Sequence, residues 1–184
     1  MQKIAKWLGL RKLSAKSVAL LGIFVALTFV FTMFATVRIG NQLEISLKFI
    51  PVFVMGALFG PVFAGITCFL GDVLSVILFP VGAPIIGMFL TEFLSGFFYG
   101  AFFYRKHEMN ASYIIRMVLC VIIQFALSLI LNSYFLYSAG YFSSMEVAIG
   151  IRFTASFAKM IAQAVVIVFA PYYLKVFSKI TKQL

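Results

Sequence analysis

Ser17-Val-Ala-Leu-Leu-Gly-Ile-Phe-Val-Ala-Leu-Thr-Phe-Val-Phe-Thr-Met-Phe-Ala-Thr36 is a run of twenty residues without a charge. About 20 apolar residues in a helix cross the hydrocarbon core of a bilayer. The run is too long for the apolar region of a cleavable signal, and no small-x-small cleavage site follows it, so it reads as a permanent first helix over 16–36. Five further apolar segments follow. The second covers 47–59 and ends at the turn signal Gly60-Pro61, and the third continues to 79. Pro80-Val-Gly-Ala-Pro84 breaks the chain again, and a fourth segment covers 85–104. Beyond the polar loop Arg105-Lys-His-Glu108 a fifth covers 112–138; after a loop at 140–146 a sixth covers 147–174. The expectation is an all-α integral membrane bundle of six helices, a single domain over 1–184.

Composition agrees. The chain is 64% hydrophobic and 11% charged, against about 25% charged in soluble domains, too few charges for a water-facing surface. The net charge is +10, but eleven of the fifteen Lys and Arg lie in three places. These are the N-terminal tail (Lys3, Lys6, Arg11, Lys12, Lys16), one loop region (Arg105, Lys106, Arg116) and the C-terminal tail (Lys175, Lys179, Lys182). Six crossings put all three on one face, so the positive-inside rule predicts both termini, including the tail 1–15, in the cytoplasm against anionic lipid rather than nucleic acid. On the opposite side, 37–46 alternates apolar and polar residues around Gly40-Asn41, which predicts a short hairpin or extended lid.

The sequence argues against catalysis. Cys68 and Cys120 sit in apolar runs and read as small hydrophobes, and His107 lies in a basic loop without a ligand cluster, so no metal or other cofactor is expected. No Gly-rich phosphate-binding loop is present, so ATP coupling must come from another chain.

Ionisable residues in lipid are costly and mark function by default. They are Lys48, Asp72, Glu92, Arg152 and Lys159, with Arg38 at the outer end of the first segment; Asn132 and Tyr134 are in the outer part of the fifth. The plainer readings are specific. Lys48 and Arg152 snorkel to the interface, Asp72 and Lys159 form one ion pair, Glu92 caps a neighbouring helix or pairs with a buried cation, and Asn132 joins helices. Together with Phe79, Tyr99 and other aromatics, the polar set suits a planar heterocycle with hydrogen-bonding edges and negative charge; a lipid-facing aromatic belt is the alternative. Ala19, Gly22 and Ala26 give the first helix a small face that permits close helix approach, inside the protein or to a partner.

The middle of the chain carries Leu47-Lys-Phe-Ile-Pro51, Gly56-Ala-Leu-Phe-Gly-Pro61, Gly71-Asp72, Leu78-Phe-Pro-Val-Gly82, Leu90-Thr91, Gly96 and Tyr99-Gly100. In this order they resemble the folate-specific substrate-binding (S) subunits of energy-coupling factor transporters, best over 45–100. Where that family has a Pro-Gly-Phe-like segment, this chain has Ile86-Gly87-Met88. The resemblance implies a subunit of the bacterial plasma membrane that binds a vitamin from outside, joins a transmembrane coupling subunit and two ABC-type ATPases, and topples to release its cargo. It implies lids at 37–46 and 80–84, and assigns Ala19, Gly22 and Ala26 to the coupling subunit. Folate's carboxylates would then meet Lys48, Arg38 and Arg152, and its pterin edge Asn132, Tyr99 and Glu92. Another vitamin of the same family (thiamin, pantothenate or a queuosine precursor) and a membrane enzyme or scaffold are the competing readings.

Overall fold

The computed structural model of the chain describes residues 15–39, 43–80, 84–105 and 110–183. The first helix, α1, is Ala15–Phe34. A hairpin follows, β1 (Thr36–Ile39) antiparallel to β2 (Leu43–Ser46), with Val37 opposite Ile45 and Arg38 opposite Glu44. Then come α2 (Phe49–Phe59), α3 (Pro61–Leu78), α4 (Ile86–Phe103), α5 (Ala111–Ser138) and α6 (Met145–Gln183). The sequence boundaries hold to within a few residues for the first five; α6 continues well past its expected end. The turns of both expected lids, 40–42 and 81–83, lie outside the described residues, as do the tail residues 1–14 and the loop residues 106–109.

Among the described residues, five helices are long and apolar enough to cross a membrane; α2 is not. Its 11 residues span about 16 Å at 1.5 Å per residue, roughly half a hydrocarbon core. Its sequence is apolar all round, as a helix with no lipid or solvent face requires. Phe49, Val52, Phe53, Val54, Met55 and Ala57 are all buried. The helix is stopped at Gly60, whose φ of 107° lies where L side chains are strained, and Pro61 opens α3 with a preset φ. The α2–α3 corner then meets α4 backbone to backbone. A Cβ on Gly100 would lie 2.3 Å from the Cα of Pro61, and one on Gly96 2.4 Å from the carbonyl oxygen of Ala64.

Around this kernel α1 packs on α3, and α5 and α6 close the other side. At the Gly60 end the core is aromatic: the Phe53 ring lies 5.0 Å from Phe103 and 5.8 Å from Tyr99, edge to face, and Phe103 meets Tyr113 at 5.3 Å. Pro171 interrupts α6. Having no N–H, it leaves the carbonyl of Ile167, four residues back, without its helical donor. The buried Tyr113 of α5 supplies one, its hydroxyl donating to that carbonyl at 2.7 Å. The outer faces of the bundle are apolar: Ile23, Ile114, Ile122, Phe157, Val165 and Phe169 are exposed, as suits a surface solvated by lipid.

Candidate functional site

Lys48 stands at the N-terminus of α2, immediately after the hairpin. The hairpin base fixes its backbone. Ser46 Oγ accepts the Lys48 N–H at 3.3 Å and the hydroxyl of Thr36 at 2.8 Å, and the Leu47 N–H donates to the carbonyl of Ala35 at 3.1 Å. Because α2 lies between α3 and α4, the side chain reaches both. Its ammonium is 3.0 Å from Asp72 Oδ1 on α3 and 3.1 Å from Glu92 Oε1 on α4. The three side chains are 13, 17 and 14% exposed, so the charges are largely withdrawn from solvent and hold one another. Cys68, one turn below Asp72, donates its thiol to Glu92 Oε2 at 3.2 Å, which occupies the second carboxylate oxygen.

Below this cluster lies a small cavity lined by Lys48, Phe49, Val52, Cys68, Glu92, Ser95, Tyr99, Lys159 and Gln163. Its free volume of about 10 Å³ has room for one water, whereas a bound organic molecule of vitamin size needs a few hundred Å³. Lys159 and Gln163 are four residues apart on α6 and so share a face. Lys159 makes no ion pair with any described carboxylate. Gln124 of α5 locks onto α4 from behind: its Nε2 donates to the carbonyl of Ser95 at 2.7 Å, and its Oε1 accepts the Ser95 hydroxyl.

Hydrogen bonding separates structural hydroxyls from uncommitted ones. Thr28, Thr32, Thr67 and Ser75 each donate to the carbonyl four residues back at 2.8 Å and are satisfied within their own helices. The hydroxyls of Tyr99 and Ser133 and the side-chain oxygen of Asn132 are buried with no hydrogen-bond partner among the described residues. Asn132 and Ser133 are chain neighbours that both face inward, directly after a π-helical turn at Leu127–Leu131 in α5. Such a turn inserts an extra residue and re-aims the face beyond it.

The expected site residues therefore divide. Lys48, Glu92 and Tyr99 meet in the cavity, and Asn132 is buried on α5. Arg152 is half-buried on α6, on the face that continues through Ser156, Lys159 and Gln163. Phe79 and Tyr134 are 57 and 53% exposed and line no part of the cavity. Phe79 ends α3 and stacks on Phe29 at 6.2 Å. Arg38 is opposite Glu44 in the hairpin, and its side chain is outside the described residues. Lys48 neither snorkels nor stands free: Asp72, expected beside Lys159, pairs with Lys48. Ala19, Gly22 and Ala26 are exposed, and nothing lies within 4 Å of a Cβ placed on Gly22, so this face packs no described helix.

Cys68, Ser95, Gln124 and Gln163 were not anticipated. Their signal is polar recurrence at helical spacing within apolar helices: 68, 72 and 75 on α3; 92, 95 and 99 on α4; 124, 128 and 132 on α5; 152, 156, 159 and 163 on α6.

Residues 12–179 match the family model of the ECF-type riboflavin transporter, S component. Two curated relatives carry the name "Folate transporter FolT". The one from Clostridium novyi (strain NT) is 40% identical over 82 residues, 45% of this chain and 47% of that protein. The one from Streptococcus mutans serotype c (strain ATCC 700610 / UA159) is 35% identical over 95 residues, 52% of this chain and 51% of that protein. The alignments thus span about half the length of these relatives. A solved structure described as "Crystal structure of FolT bound with folic acid" superposes with a TM-score of 0.75 at 29% identity, covering 87% of this chain and 95% of that one.

Proposed function

We propose, on the premise that this chain belongs to the ECF-type riboflavin transporter S-component family, that it is the subunit that captures folate from outside the cell. The family is one of multi-pass membrane transporter components, not of enzymes. The observation that carries the folate reading is the superposition, over nearly the whole of both chains, on a structure with folic acid bound.

The site supports this reading chemically. Folate offers a planar heterocycle with donors and acceptors on its edge and carboxylates at its far end. Tyr99, Asn132 and Ser133 hold buried polar atoms that have no hydrogen-bond partner among the described residues, and these suit the heterocycle edge, as does Glu92, which lines the cavity with Tyr99. Lys159 and Arg152, on one face of α6, suit the carboxylates, with Arg38 at the lid. Lys48 is already held by two carboxylates and is not assigned to the ligand. A vitamin enters only when the small cavity widens, and 37–46 and 80–84 are the segments assigned as lids. The basic tails and the region around Arg105 face the cytoplasm of a bacterial plasma membrane. A transmembrane coupling subunit, served by two ABC-type ATPases, meets the outward small face of α1.

Calorimetry on the purified protein with folate, riboflavin and thiamin, without ATP, tests the assignment. Saturable folate binding with no response to the other two is expected. The family model's description favours riboflavin as the second reading; binding of riboflavin but not folate establishes it and removes the first.

A further inference from the structure

Lys48 was expected in the site, but not in the part it plays in the cavity wall. A lysine at the mouth of a site for an anionic ligand would serve best with its ammonium free. Here the ammonium lies 3.0 and 3.1 Å from two carboxylates on two different helices. A ligand carboxylate brought to it would be the third anion around one cation. The two acids are the two that α3 and α4 contribute. Without Lys48 they would face each other across a poorly solvated gap, where like charges repel strongly. Cys68 donates to Glu92 as a neutral thiol and adds no charge. Lys159, on the opposite wall, is the second cation and has no described ion-pair partner. Lys48 and Lys159 together match the two charges of Asp72 and Glu92: Lys48 touches both acids, whereas Lys159 acts on Glu92 from further off and makes no ion pair with a described carboxylate.

We infer that Lys48 is a specificity-determining residue that acts as a tethered internal cation: by filling the space between Asp72 and Glu92 it bars positively charged ligands from the pocket. The inference deepens the folate reading and rests on it for the position of the pocket. The bare pair, with two negative charges, would form a receptor for a cationic heterocycle; with Lys48 between them one net negative charge is left, and Lys159 in the same cavity wall offsets it. The device is chemically simple, because a lysine on α2 cannot diffuse away as a bound inorganic cation could.

The test is a charge series on the full-length purified protein, read with thiamin, whose thiazolium is permanently cationic, and with folate in parallel. Lys48→Met is expected to gain thiamin binding by about tenfold or more over the parent. Lys48→Met combined with Asp72→Asn removes one cation and one anion and is expected to return thiamin binding to the parent level. An unchanged thiamin affinity in a folded Lys48→Met variant overturns the inference. So does an equal gain in the double variant, which would assign the effect to space rather than charge. Should Lys48→Met not fold, a folded double variant with the parent's weak response to thiamin supports the charge balance, and one that gains thiamin overturns it. Since the readout is thiamin, failure of the parent to bind folate counts against the proposed function and leaves the charge series able to decide this inference.

Discussion

At the scale of single residues, Tyr99 separates structure from function. Its hydroxyl is buried and has no hydrogen-bond partner among the described residues, so removing it relieves a desolvated polar group instead of breaking a bond. Tyr99→Phe is expected to leave the melting temperature in detergent unchanged or raised, while folate binding weakens by about tenfold. Unchanged binding in that variant would remove Tyr99 from the ligand site. Arg152 is read in the opposite way, through the ligand. If it holds a carboxylate bidentately, Arg152→Ala costs about 1.5–3 kcal/mol against folate and much less against a pterin lacking the glutamate; equal losses for both ligands would make Arg152 a structural residue. Lys48, Glu92 and Tyr99 were legible in the sequence because a charge or hydroxyl in an apolar helix stands out. Phe79 and Tyr134 are exposed and line no part of the small cavity; an aromatic residue has the same signature in the sequence on a lipid-facing and an inward face. Gln163 and Ser95 were not assigned to the site because uncharged polar residues also join helices in bundles with no site at all.

At the scale of elements, one device ties α5 to α6. Pro171 deprives the Ile167 carbonyl of its helical donor, and Tyr113 replaces that donor from the neighbouring helix. The repair spans 54 residues of chain, so it stabilises the packing of the pair as well as the helix. Tyr113→Phe keeps the ring against Phe103 and removes only the hydroxyl. The expected cost is about 1–3 kcal/mol, that of leaving a buried carbonyl unsatisfied, visible as a lower melting temperature with little change in folate affinity. A melting temperature equal to the parent's would show that the carbonyl is satisfied in another way. Most element boundaries were legible because apolar length and Gly/Pro punctuation mark them directly; the alternation around Gly40-Asn41 signalled the hairpin in the same manner. The short span of α2 was visible in the 13 residues from Leu47 to Phe59, apolar but for Lys48 near their start, but its central position was not, since periodicity says nothing about a helix apolar on every face. The π-turn at Leu127–Leu131 has no marker in its residues, Leu-Ser-Leu-Ile-Leu, which suit an α-helix equally well. Asn132 drew attention as a polar residue in an apolar run, but that Ser133 beside it also faces inward was out of reach of a 3.6-residue reading.

At the scale of the whole molecule, two faces remain to be matched with surroundings: a wide apolar one that lipid solvates, and the narrow small-residue face of α1. The topology expectation concerns the first. A reporter fused after Lys182 should read as cytoplasmic and one within 141–146 as external; the reverse pattern would invert the bundle in the membrane. The second face is where binding and transport come apart. Ala19, Gly22 and Ala26 are exposed together, and Gly22 has open space where a side chain would stand. Lipid needs no such groove, since its chains adapt to any apolar relief, whereas a second helix gains close van der Waals approach from small residues. The buried residues of the same helix, Phe24, Val25 and Thr28, point the other way, and Thr28 meets Gly71 of α3. A bulky residue at position 26 thus leaves the α1–α3 packing and the cavity untouched. Ala26→Trp is expected to bind folate as the parent does and to lose uptake when expressed with the coupling subunit and its ATPases, because an indole holds the partner helix away and forfeits about 1–2 kcal/mol of interhelical packing. Uptake and co-purification of the coupling subunit should fall together. A variant that assembles normally yet binds folate poorly would place this face inside the binding subunit's own architecture, and the partner would have to dock elsewhere.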